Sequence, residues 1–127
     1  MERGPQPIKV LLVEDDLLVS ALVAEELRDY GFEVREAARG EDAMACLEAE
    51  AGIDVLFTDV NLAGDLDGTE LAIRARRLRP DLPIVYSSGR YAAFGLEGMV
   101  TRSLFVPKPY RPAEVCVLLA RLTGLPH

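Results

Sequence analysis

The sequence predicts a single α/β domain whose parallel sheet is covered by helices on both faces. Three observations lead there. The chain has 127 residues, the length of one domain around one core. Five short apolar runs alternate with about five longer amphipathic ones. The first of those runs, residues 8–13, is apolar at nearly every position, as a strand buried on both faces requires.

The elements follow in order. Residues 1–7 read as a flexible lead and 124–127 as a frayed tail, leaving 8–123 as the domain. After the strand at 8–13, residues 17–30 carry Val19, Leu22, Val23, Leu27 and Tyr30 on one helical face, and Gly31 ends the helix. A short strand at 33–37 leads to a helix at 40–50 with Ala43, Met44 and Leu47 turned inward. The third strand, 53–58, is stopped by Asp59 and a loop rich in Gly and Asp. A helix at 69–78 aligns Leu71, Ala75 and Leu78 before Pro80 stops it. Pro83 leads the fourth strand, 84–87. Residues 90–103 carry a weak helical pattern with glycines flanking or interrupting it. A fifth strand, 104–106, precedes a last helix, 111–122, with Val115, Leu118, Leu119 and Leu122 aligned and Pro112 in its first turn.

Composition narrows the function classes. Half of the residues are apolar and 28% are charged, which fits a globular protein rather than a disordered one. The net charge of −7 argues against direct nucleic-acid binding, which needs Lys and Arg to release counterions. Cys46 and Cys116 lie far apart in sequence without metal-ligand spacing, so they read as small core residues, and His127 as a terminal residue without a role. The longest apolar runs, 10–13 and 115–120, are far too short for membrane insertion. No secretory h-region opens the chain, and the expected compartment is the cytoplasm.

The polar residues are not scattered. The first strand ends in Glu14-Asp15-Asp16, the third in Asp59, the fourth in Ser87-Ser88 and the fifth in Lys108. Open parallel sheets bind ligands beyond the carboxyl ends of their strands. With the first and third strands adjacent, their acids converge on one crevice. Two like charges about 4 Å apart repel by roughly 4 kcal/mol at an effective dielectric near 20. A hard divalent cation relieves this, and an incomplete cage of carboxylates, a carbonyl and waters suits Mg²⁺. Lys108 adds a compact positive charge and Ser88 a hydroxyl donor. Together they form a phosphoryl-transfer site with Asp59 as nucleophile and Glu14 and Asp15 free for the metal. Each residue alone has a plainer reading: Asp16 is an N-cap, Asp65 and Asp67 serve the turn and the start of the next helix, and Lys108 is a solvated lysine. Coincidence at four strand ends is what favours function.

These residues resemble the receiver domain of two-component response regulators over nearly the whole chain. The matching segments are Val10-Leu11-Leu12-Val13-Glu14-Asp15-Asp16, Val55-Leu56-Phe57-Thr58-Asp59-Val60-Asn61-Leu62, Asp67-Gly68-Thr69-Glu70-Leu71, residues 83–89, and Phe105-Val106-Pro107-Lys108-Pro109-Tyr110. The resemblance implies a flavodoxin-like, doubly wound five-stranded parallel sheet of order 2-1-3-4-5. It implies that Asp59 accepts a phosphoryl group from a histidine kinase or histidine phosphotransfer protein. Glu14 (through water), Asp15, Asp59 and the backbone carbonyl of Asn61 would place Mg²⁺. Ser88 and Phe105 would be the switch pair, Lys108 the phosphate-pairing lysine, and Lys108-Pro109 a cis peptide aiming the ammonium inward. The fourth helix, fifth strand and last helix would form the output face, which also offers a homodimer contact.

Three features depart from the common pattern. The loop from Asp59 to Gly68 is one residue longer, Ser88 replaces a threonine, and the segment from Ser88 to Phe105 is shorter, which predicts a short or irregular fourth helix. The expected protein is not an enzyme beyond its own phosphorylation and dephosphorylation. It is expected to be a single-domain regulator with a protein target, against the alternative of a receiver from a hybrid kinase or longer regulator. A haloacid-dehalogenase-like phosphatase would need an acid where Asn61 stands and room for a cap domain. A pseudo-receiver would lack functional side chains that are all present here.

Overall fold

The computed structural model describes residues 7–89 and 99–124. In chain order these form β1 (Lys9–Val13), α1 (Leu17–Tyr30), β2 (Glu33–Ala37), α2 (Gly40–Ala49), β3 (Val55–Asp59), α3 (Gly68–Leu78), β4 (Ile84–Ser88), β5 (Ser103–Pro107) and α4 (Pro112–Thr123). The five strands make one sheet of order β2-β1-β3-β4-β5, and every pairing is parallel. The expected architecture and strand order are therefore observed. The helix expected within 90–103 falls largely on residues 90–98, outside the described residues.

Strand alternation divides the core in two. Val10, Leu12, Val55, Phe57 and Val85 face α1 and α4, meeting Val23, Leu27, Val115 and Leu119. Leu11, Val13, Leu56, Ile84 and Tyr86 face α2 and α3, meeting Leu47, Leu71 and Ala75. Because side chains alternate along a strand, burial on both sides demands the unbroken apolar runs seen in the sequence. Each fully buried Leu or Val contributes about 1.5–3 kcal/mol relative to exposure, so the two layers dominate the folding drive.

Several helix positions differ from expectation. On α1 the buried stripe is Ser20, Val23, Ala24 and Leu27, an i, i+3, i+4, i+7 set. Leu22 was expected on that face but turns outward and is 57% exposed, since it lies about 100° from Val23 around the helix. Leu78 on α3 and Leu122 on α4 are also exposed, each one turn beyond the stripe that touches the sheet. Cys116 is a buried core residue, whereas Cys46 is only partly buried.

Local chemistry sets the element ends. Asp16 caps α1, its Oδ1 accepting from the amides of Leu18 and Val19 at 3.1 and 3.2 Å, and Asp67 caps α3 through the Glu70 amide at 2.9 Å. Both were expected to serve helix starts. Gly31 closes α1 at φ 121°, a left-handed conformation that favours glycine. β3 ends one residue later than expected, because Asp59 pairs in register with Ser87 and stays within the strand. Gly68 is required where α3 begins: a Cβ there would collide with the Asp59 carbonyl. The helix can therefore start directly against the end of β3.

Candidate functional site

The carboxyl ends of β1, β3, β4 and β5 open on the same side of the sheet. Glu14 follows β1 and is buried, while Asp15 beside it is exposed. Asp59 ends the wholly buried β3 with 8% of its surface exposed. One carboxylate oxygen from each of these three residues lies within 4.8 Å of the other two. This separates the triplet at 14–16 by role: Glu14 and Asp15 face Asp59, and Asp16 is used by the helix.

Lys108 crosses the site. Its Nζ donates to Glu14 Oε1 at 2.8 Å and to Asp59 Oδ2 at 3.0 Å. Burial disfavours its charge, but the two carboxylate hydrogen bonds outweigh that and hold the ammonium above its usual range. Burial pushes the Glu14 carboxyl up, against the pull of Lys108 and the Asp16 amide. Both Glu14 oxygens are engaged, since Oε2 accepts from the Asp16 amide at 3.1 Å. The Lys108–Pro109 peptide is cis, and the Lys108 amide donates to the Ser88 carbonyl at 3.1 Å, tying the end of β5 to β4.

The loop after β3 supplies the rest. The Asn61 amide donates to Asp59 Oδ1 at 3.1 Å, so both Asp59 oxygens accept hydrogen bonds. The Asn61 side chain donates to Ser88 Oγ at 3.1 Å, and the Ala63 amide donates to Asp15 Oδ2 at 3.2 Å. Sequence reasoning used only the carbonyl of Asn61 and missed the side-chain link. Its signal was an amide-bearing residue two positions past a buried strand-end acid. Phe105 is half-buried against the core layer containing Tyr86, its register partner on β4. One strand, β4, lies between it and the strand that carries Asp59.

Three clustered carboxylates with one lysine leave excess negative charge. Such an oxygen donor set fits a small hard divalent cation, and the solvent-facing side of Asp15 leaves room for waters. Asp59 is nearly buried at the strand end, with Lys108 bonded to one of its oxygens and Ser88 linked to the loop after it through Asn61.

Beside this site lies an apolar cleft of about 490 Å³, lined by Val19, Leu22, Lys108, Pro109, Tyr110 and Pro112 among others. Leu17 and Leu18 are 73% and 70% exposed next to it in sequence. Tyr110 packs its ring against Phe57 with centroids 5.7 Å apart, and burial pushes its phenol up to about 12. No helix among the described residues is long and apolar enough to cross a membrane.

Comparison with known proteins gives a consistent result. The family model for the response regulator receiver domain matches residues 10–120. The transcriptional regulatory protein TrcR of Mycobacterium tuberculosis is 33% identical over 121 residues, covering 94% of this chain and 45% of TrcR. A response regulator receiver protein from Sinorhizobium medicae superposes with a TM-score of 0.88 at 29% identity, covering 94% of this chain and 97% of that one. The receiver domain of the hybrid histidine kinase CckA gives a TM-score of 0.75 at 32% identity, covering 89% and 96%. The chain spans a quarter to a half of the length of the curated relatives it matches.

Proposed function

The chain belongs to the response regulator receiver domain family, and from that premise we propose that it accepts a phosphoryl group on Asp59 from a histidine kinase or histidine phosphotransfer protein. The observation that carries this reading is the placement of Asp59 at a buried strand end, between Lys108 and the Asn61 amide and facing Glu14 and Asp15. An Asp59 oxygen attacks phosphorus as the bond to the donor's imidazole breaks. Lys108 is held protonated and pairs with a phosphoryl oxygen as charge moves onto the group, and the Ser88 hydroxyl donates to another. Glu14, Asp15, Asp59 and the Asn61 carbonyl are the residues that would hold Mg²⁺, Glu14 through water because Lys108 and the Asp16 amide already occupy its oxygens. When bound, the ion neutralises charge on the transferring oxygens. In this reading the chemistry is confined to self-phosphorylation and self-dephosphorylation. The output is a protein contact through the β4, β5 and α4 face.

The exposed Leu17, Leu18 and Leu22, with the adjoining cleft, provide the apolar face on which a phosphodonor would dock beside Asp59. The central test is labelling with acetyl phosphate and Mg²⁺, with the adduct mapped by mass spectrometry. The expected label is on Asp59, absent from Asp59→Asn and abolished by chelation. Label that survives Asp59→Asn would overturn the assignment.

A further inference from the structure

The negative total charge hides a strong asymmetry. Residues 1–67 carry a net −12, whereas residues 68–127 hold nine basic against four acidic side chains, a net +5. Because the sheet order is β2-β1-β3-β4-β5, β1 and β2 belong to the acidic part of the chain and β4 and β5 to the basic part. α3 alone contributes Arg74, Arg76 and Arg77, with Arg79 at its end. Two of these positions have assigned work. Arg74 pairs with Glu70 at 3.3 Å, and Arg79 holds the carbonyls of Ile53, Leu47 and Glu50.

The others meet at an open groove of about 650 Å³ between α3 and the turn that leads into β5, lined by Arg76, Arg77, Arg102, Ile73, Met99 and Val100 among others. Arg76 builds the wall. Its guanidinium donates to the carbonyls of Leu82, Thr101 and Arg102 at 2.7, 2.7 and 2.9 Å. Arg102 donates to the Pro80 carbonyl at 3.1 Å from the far side. These partners are neutral, so they fix the groups without cancelling their charge. Among the described residues no carboxylate forms an ion pair with Arg76, Arg77 or Arg102. Burial and the neighbouring Arg102 charge work against the Arg76 cation and outweigh the smaller favourable effects of Tyr86 and Asp81. An anion in the groove would relieve that strain.

We propose that this groove docks an acidic, partly apolar peptide segment of a partner protein, read through Arg77 and Arg102. Guanidinium groups bind carboxylates in a bidentate fork, and the apolar lining offers a pocket for an aliphatic anchor beside them. Charge complementarity also selects the size of the partner. The groove is basic only locally, and the surrounding net of −7 repels a polyanion as extended as nucleic acid. None of the described residues lining the groove belongs to the Asp59 site.

The test is amide chemical-shift mapping on the whole chain, titrated with a short peptide of glutamate and leucine. Saturable shifts concentrated at 73–80 and 99–103, weakened by added salt, are the expected result. Arg77 is exposed and unbonded among the described residues, so Arg77→Glu should fold normally and weaken binding about tenfold. Arg121→Glu, the same charge change on α4, should weaken it less than about twofold. Absent shifts, shifts elsewhere, or equal weakening by both variants would overturn the proposal. So would a single-stranded oligonucleotide that moves the same amides at least as strongly, which would make the face a nucleic-acid site.

Discussion

Ser87 stands beside Asp59 in the sheet register, yet its Oγ is buried without a hydrogen-bond partner among the described residues. A buried orphan hydroxyl costs about 1–3 kcal/mol. Ser87→Ala is therefore expected to raise unfolding free energy by about 1 kcal/mol in urea titrations, and a loss of stability would mean that the hydroxyl is bonded. Titrating groups at single positions make a second prediction. Burial pushes the Cys116 thiol up to about 11 and the Tyr110 phenol up to about 12, and Lys108 is raised by its carboxylate partners. In each case the folded protein keeps a proton that the unfolded chain releases earlier, at roughly pH 8.5 for Cys and 10 for Tyr and Lys. Their stabilising contribution is complete below about pH 8.5 and is lost as pH rises through the folded values. The urea midpoint should fall steadily above about pH 9, and Cys116→Ala should flatten the first part of that fall. A level profile to pH 11 would contradict the burial of these groups.

At the scale of elements, legibility followed burial. β1, β3 and β4 are covered on both faces, so residues 10–13, 55–57 and 84–86 are unbroken apolar runs without the alternation of a half-exposed strand. Their ends were less legible. The polarity of Asp59 read as a stop, whereas its pairing with Ser87 keeps it in the sheet; register is a property of the neighbour strand and cannot be seen in the run itself. The acid cluster, Lys108 and Ser88 were legible because they interrupt apolar patterns at strand ends. The Asn61–Ser88 bond was not, since it depends on how the loop folds back. On α1 the pattern of leucines overstated the core, because periodicity counts every apolar residue, including those kept on the outside. That difference is measurable. Leu27→Ala should cost about 2–5 kcal/mol, whereas Leu18→Asp, at an exposed position, should change stability by less than about 0.5 kcal/mol. If α1 is the donor's docking face, Leu18→Asp should slow phosphotransfer from a cognate kinase and leave acetyl phosphate labelling intact. Parallel losses with both donors would remove α1 from that role.

Across the whole molecule, a change at Asp59 has a short bonded route to the far edge of the sheet. Ser88 ends β4 beside the site, with its Oγ accepting from Asn61 and its carbonyl accepting from the Lys108 amide. A phosphoryl group on Asp59 competes for the Ser88 hydroxyl and for Lys108, so it pulls on both β4 and β5. Two residues before Ser88, the fully buried Tyr86 extends its hydroxyl to accept from the Val100 amide at 3.1 Å. Its register partner on β5 is Phe105, half-buried and lacking a hydroxyl that would need satisfying inside the core. Phe105 can therefore occupy space vacated near Ser88 without a polar penalty, and the Val100 turn is tethered to the strand that moves. A bias of 1.4 kcal/mol between two ring positions changes their populations about tenfold, enough for a partner to read. Hydrogen exchange with and without beryllofluoride, a phosphoryl mimic, should then show altered protection at 99–107 as well as at 59–63. Ser88→Ala should retain the change near Asp59 and lose the distant one, because the hydroxyl is the link between them. Protection changes that stay at 59–63 in the unaltered protein would show that β4 and β5 do not carry the signal.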